Sequence, residues 1–448
     1  MERYSLSQGD RSSAASRVLH SARLRDTDGE RFTVAVKAEL STFMFSSQVF
    51  MMVLPPTHRK AITHSLPVWL LMGVLACASA PAPSVEPAPA APSAAATAPT
   101  ANYWVYVGAE SADLIHRIRW GPDGAVVEKT FPVGESASEL EGPHGLQISR
   151  DGKYLHLTTG HGSPDGKYWR YATGSDTLAG PGIFLGFFPA SIDLTPDGLY
   201  AFIVNFNLHG EMVPSSVSVV YTPTHTEVAR TETCTMPHGS RVDPGGLRQY
   251  STCMMDDQLV EVDTRTFAVS RRFSVAKGKE GPISLDVAAS HASHGAMAPA
   301  SCSPTWAQPS ADGSKVYVAC NKADEILEID GARWEITRRF PTGRGPYNLA
   351  VTPDGRLLIA TLKQGAGVQI FDLASGQSVL NTKSSTTVTH GIAVSPDSRY
   401  AFVSNEAVGA APGKVDVYDL RTLTRVADVP VGQQAGGIAF WKMEPAAR

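Results

Sequence analysis

Hydrophobic and polar residues alternate in short runs along most of this chain, and turn-forming residues separate the runs. The stretch from Pro304 to Asp330 shows the unit. Val316-Tyr317-Val318-Ala319-Cys320 and Ile326-Leu327-Glu328-Ile329-Asp330 are β-forming runs, and the turn Ser310-Ala311-Asp312-Gly313 precedes the first. Asp and Gly favour such a reversal, Gly because it accepts φ > 0. Turns of the same kind begin at Ser149, Thr195, Thr352 and Ser395, followed by Tyr154-Leu155, Phe202 to Asn205, Leu357 to Ile359 and Phe402 to Asn405. Third strands close on Asp263, Asp372 and Asp419, and fourth strands run into Pro-Val-Gly or Pro-Thr-Gly after Phe131, Phe340 and Val429.

Aligning the turns places seven first strands near His144, Ala190, His238, Thr305, Tyr347, His390 and Gly436, spaced by 46, 48, 67, 42, 43 and 46 residues. A repeat of this length built of four short antiparallel strands is a propeller blade. The expected fold is all-β, a seven-bladed β-propeller spanning 102–441. The last first strand, Gly437 to Phe440, has nothing after it, and Tyr103 to Gly134 offers three strands lacking a first one. The two ends together should complete one blade, which removes the open sheet edge and leaves a closed, monomeric ring. With 39 Gly and 31 Pro in 448 residues the composition suits a turn-rich chain. A net charge of -4 without a basic block gives no footprint for a nucleic-acid partner.

The runs Tyr317-Val318-Ala319-Cys320-Asn321 and Phe402-Val403-Ser404-Asn405, the Thr-Pro-Asp-Gly and Ser-Pro-Asp-Ser turns and the Pro-Val-Gly endings resemble YVTN-type seven-bladed propeller repeats. Such YncE-like repeats occur in surface-layer proteins, in lactonase-like propellers and in propeller domains of periplasmic redox proteins. The resemblance implies the fold over 103–441 and leaves activity open, because sites are grafted onto folds.

Residues 1–50 carry no repeat and are expected to be a non-native upstream extension. An export signal is expected over 51–77, with a basic His58-Arg59-Lys60 and an apolar Leu66 to Ala76. Val74-Leu75-Ala76-Cys77 resembles a bacterial lipobox, which would make Cys77 the lipidation site and Ala78, rather than Asp, a pointer to the outer membrane. Plain secretion is the alternative. Residues 78–101, rich in Ala, Pro and Ser, read as a tether. The membrane is then met only through the anchor.

Candidate chemistry gathers at the end of the ring where first strands begin. His144, His238 and His390 start first strands, His161 and His209 sit in second-to-third loops, and Thr305 and Tyr347 occupy equivalent starts. Structural capping by Pro-His-Gly and Thr-His-Gly is the plain reading of these histidines. The sharper one is a metal site, since imidazole is a common ligand. If each hairpin register follows its turn, His238 faces Cys253 and Thr305 faces Cys320. The long third spacing holds an insertion, 277–303, with His291, His294, Met297 and Cys302. Long loops in compact arrays are usually functional or disordered. With Met236 and Met254, this pool of imidazole, thiolate and thioether suits copper.

The cysteines also admit a scaffold role. Cys234 with Cys253 and Cys302 with Cys320 are 19 and 18 residues apart, and in an oxidising compartment two disulfides would staple adjacent blades. No nucleophile elbow, phosphate-cradling Gly loop or haem-attachment motif is present. The sequence therefore supports an exported, lipid-anchored scaffold that binds a small molecule or an envelope protein. The alternatives are a periplasmic copper protein or oxidoreductase and, last, a lactonase-like hydrolase.

Overall fold

The computed structural model describes residues 98–136, 138–162, 166–285 and 299–446, with the backbone of two further strands. The chain divides into Met1–Val85 and Glu86–Arg448. In the first unit His20–Arg25 pairs antiparallel with Arg31–Val36, a hairpin where the sequence shows no periodicity. The signal segment, Cys77 and residues 78–97 lie outside the described residues.

The second unit is a seven-bladed propeller of antiparallel four-stranded blades, two of which carry a short fifth strand. The innermost strands are Pro143–Ile148, Pro189–Leu194, Pro237–Val242, Pro304–Pro309, Pro346–Val351, Thr389–Val394 and Ala435–Pro445, which number the blades one to seven. Ala435–Pro445 pairs with Ala101–Ala109, which continues into Leu114–Gly121 and Gly124–Pro132. The seventh blade is thus shared between the two ends of the propeller sequence, as the pattern of strands predicts. The core lies between blades. Phe402, Val415 and Val417 of blade six pack with Val105 and Val107 of blade seven, and Tyr317 and Phe340 of blade four with Leu349 and Phe371 of blade five. Each such fully buried side chain stabilises the fold by roughly 1.5–3 kcal/mol.

The first-strand hairpins depart from the expected register at one place. In blade three Ser240, Arg241 and Val242 pair with Ser251, Tyr250 and Gln249 as the turn dictates, but Pro237, not His238, faces Cys253. Blade four repeats this, with Pro304 rather than Thr305 opposite Cys320. A β-bulge takes up the extra residue, and the same shift recurs in blades one, two, five and six. A bulge re-aims the side chain beside it, so the residue after each leading Pro or Thr leaves its own hairpin and meets the next blade.

Both disulfides are formed. Cys234–Cys253 joins the outer strand of blade two to the second strand of blade three, with Cα atoms 5.8 Å apart. Cys302–Cys320 does not join two blades; it ties the end of the insertion to the second strand of blade four. The insertion is not all loop, since Gly281–Ile283 adds a fifth strand to the outer edge of blade three. Its far end is held by Asp257, whose carboxylate accepts the amides of Ser301, Cys302 and Ser303 at 2.6–3.3 Å. His291, His294 and Met297 lie outside the described residues.

Candidate functional site at the mouth of the channel

The bulge explains the Pro-His-Gly motif. Nδ1 of His144 lies 3.0 Å from the carbonyl of Ala190, and Nδ1 of His238 lies 3.0 Å from that of Thr305. Each N–H donates to the next blade. The following glycine is required by the same approach: a Cβ on Gly239 would stand 2.2 Å from the Thr305 carbonyl and one on Gly145 2.3 Å from that of Ala190. His390 has no such bond. The Gly436 backbone approaches its ring, yet its buried Nδ1 lacks a partner at hydrogen-bonding distance.

These three histidines meet over the channel axis. His144 lies 5.7 Å from His390 and 6.1 Å from His238 between ring centroids, edge to face. With Nδ1–H committed, Nε2 of His238 is an acceptor, and the Tyr347 hydroxyl donates to it at 2.9 Å. Burial pushes the His238 pKa down to about 3, helped by His144 and Lys363, and burial likewise holds His390 well below the usual range. Both stay neutral at pH 7. Among the described residues Nε2 of His144 makes no hydrogen bond.

Three charged side chains complete the mouth, and sequence reasoning missed all of them. Glu110, Lys363 and Glu406 each follow directly on a second strand, Ala101–Ala109, Leu357–Leu362 and Tyr400–Asn405. Lys363 is 2.8 Å from Glu406 and its ammonium stands 4.3 Å from the centre of the Tyr347 ring. Burial opposes its charge, but Tyr347 and the Glu406 and Glu110 carboxylates outweigh that and raise its pKa. Glu406 also lies 3.6 Å from Nε2 of His390. Glu110, buried, is bonded to Nε2 of His161 at 2.8 Å; burial raises its pKa, but His144 and His161 bring it below the usual value, so it is ionised. The rule that picked out His161 and His209, position in a second-to-third loop, would have found these residues had it been applied to Lys and Glu.

The remaining candidates fall as follows. His161 and His209 stack at 5.1 Å and both meet Phe188 edge-on. Thr305 joins blades, its hydroxyl 2.9 Å from the Tyr347 carbonyl. Met236 and Met254 pack against Phe188 and Phe206. Cys253 and Cys302, bonded to Cys234 and Cys320, offer no thiolate, and both nitrogens of His238 are engaged. Of the copper ligands the sequence suggests, His291, His294 and Met297 lie outside the described residues, and among the described residues no group of three or more His, Cys, Asp or Glu is arranged to hold a metal ion. What the mouth presents instead is a cation, two carboxylates and neutral imidazoles in mutual contact. Such a set can orient a polar molecule and move a proton on it.

No protein-family model matches the chain, and no curated protein does. Solved structures share the fold. The chain is similar to the periplasmic gluconolactonase PpgL of Pseudomonas aeruginosa at 17% identity, over 76% of this chain and 99% of that one, with a TM-score of 0.58. It is similar to a functionally unknown protein of Desulfotomaculum acetoxidans at 14% identity, over 75% and 98%, with a TM-score of 0.56. Hydrazine synthase of Kuenenia stuttgartiensis matches at 17% identity over 68% and 91%, with a TM-score of 0.52. At these identities the likeness is one of fold, and the chain is a seven-bladed β-propeller.

Proposed function

We propose that this protein is an envelope-anchored propeller that binds a small polar molecule at the mouth of its channel. The contact that carries the reading is Lys363, held by Glu406 and set on the face of Tyr347, beside the imidazoles of His144, His238 and His390. An ammonium has three N–H donors, so Lys363 can still donate to a carboxylate or a polarised carbonyl beside Glu406 and Tyr347. Aldonates and their lactones fit this donor and acceptor pattern. In a ligand screen by thermal shift and saturation-transfer NMR, Lys363→Met should weaken such a ligand at least tenfold. A full screen without a hit, or a hit indifferent to that change, sinks the proposal.

A second reading, lactone hydrolysis, is favoured by the open Nε2 of His144. Water would attack the ring carbonyl as Nε2 takes its proton, with Lys363 facing the oxyanion. The acyl–oxygen bond then breaks, and the imidazolium returns the proton to the leaving alkoxide. The gluconolactonase neighbour shares the fold and so supports this reading only by analogy. In a pH-stat assay on δ-gluconolactone, His144→Gln should lower kcat by 10²-fold or more with little change in KM. Wild-type protein no faster than buffer rules out the reading for that substrate.

A further inference from the structure

At the three histidines the channel holds a cavity of about 30 Å³, lined among others by His144, His238, His390, Arg241, Trp306 and Asn348. It admits two waters, or one ion of similar size. Its polar groups are unbalanced. Among the described residues Arg241 has no carboxylate at ion-pair distance, and its guanidinium donates to its own neighbour's carbonyl, Ser240, at 2.8 Å. Asp193, the nearest charge acting on it, is already taken by Gln147 at 2.6 Å and by the amide of Val242 at 2.8 Å. The Arg241 guanidinium lies 4.5 Å from the centre of the Trp306 ring. Trp306 is only 6% exposed, and its Nε1–H, a donor with no acceptor role, is buried without a partner. The side-chain amide of Asn348, 4% exposed, makes no hydrogen bond either, and its Oδ1 is buried and unpaired.

Buried polar groups are nearly always paired. The buried donor left unmatched is the Trp306 indole N–H; the Arg241 guanidinium stacks on that ring, and the Asn348 amide, whose Nδ2 can also donate, lines the same small space. We propose that the channel holds a small monovalent inorganic anion, of the chloride class, bound by Arg241, Trp306 and Asn348. Its charge offsets the arginine that the fold leaves without a counter-ion. The three histidines of the mouth also line this cavity.

Crystals of the full chain soaked in bromide should show an anomalous peak in the channel within hydrogen-bonding reach of Arg241 and Trp306 Nε1. In solution at constant ionic strength, chloride replacing a bulky organic sulfonate should raise Tm by a few degrees between its dissociation constant and about 100 times that concentration. Arg241→Gln should abolish that dependence. Should Arg241→Gln fail to fold, Trp306→Phe decides, since it keeps the ring and removes the donor; about tenfold weaker chloride dependence is expected. No bromide peak in the channel, a Tm indifferent to chloride, or a Trp306→Phe response equal to wild type would mean that water alone fills the cavity, and overturns the proposal.

Discussion

The hydroxyl of Tyr347 stands 2.9 Å from Nε2 of His238, joining blades five and three across the channel. The bond fixes the histidine as the Nδ1–H tautomer, because the opposite nitrogen donates to Thr305. Tyr347→Phe would leave Nε2 buried and unpaired, which costs about 1–3 kcal/mol. Denaturant unfolding should show a lower midpoint with an unchanged slope. Equal stability would mean that water replaces the hydroxyl.

Acid should unfold the propeller through its buried histidines. His238 and His156 are pushed down to about 3, first by burial, and His390 falls well below its usual value for the same reason. For a base whose folded pKa is depressed, the unfolded chain binds the extra proton between the two values. Stability is therefore full above the unfolded pKa of about 6.5 and is lost as pH falls from there toward 3. Each histidine contributes a slope of up to about 1.4 kcal/mol per pH unit. His116 and His225 are lowered by burial as well, so unfolding free energies between pH 7.5 and 4 should give a slope of about three protons or more, reduced by about one in His156→Gln. A flat profile down to pH 4.5 contradicts the burial.

The blades were legible in the sequence because their strands alternate and their turns repeat, both local signals. The closure of blade seven followed from counting, since Gly437 to Phe440 lacked partners and Tyr103 to Gly134 lacked a first strand. The bulge was not legible. A one-residue slip between Pro237 and Ser240 depends on where the next blade's carbonyls lie, and no alternation within one hairpin encodes that. This is why His238 was aimed at Cys253 rather than at Thr305. Cys253 in turn pairs with Cys234, one of the arrangements the spacing allowed. Glu110, Lys363 and Glu406 went unseen because a charged residue in a loop carries no sign that two other blades will surround it.

The disulfides close loops of 19 and 18 residues. Loops of this size restrict the unfolded chain enough to stabilise the fold by about 3 kcal/mol each. Non-reducing denaturation should leave at most one titratable thiol per chain, Cys77. Reduction, or Cys302→Ser with Cys320→Ser, should lower the unfolding midpoint markedly. Four reactive thiols in protein purified from an oxidising compartment would contradict both bridges and reopen a role for thiolates.

Gly437 offers the sharpest test of the packing rule behind the histidine motif. It sits on the inner strand of blade seven, and a Cβ there would stand 2.0 Å from the His144 carbonyl and 3.0 Å from Leu146. The obstacle is backbone, which cannot swing aside like a side chain. At Gly391 the equivalent Cβ meets the Gly436 carbonyl at 2.8 Å, a milder overlap. Overpacking of this kind costs about 1–3 kcal/mol and occasionally more. Gly437→Ala should therefore lower Tm further than Gly391→Ala. It should also displace His144, whose ring depends on that backbone for its place over the channel, and so disturb ligand binding at the mouth even in protein that remains folded. Equal, small losses for the two variants would show that the blades part easily and that glycine is not what lets them close.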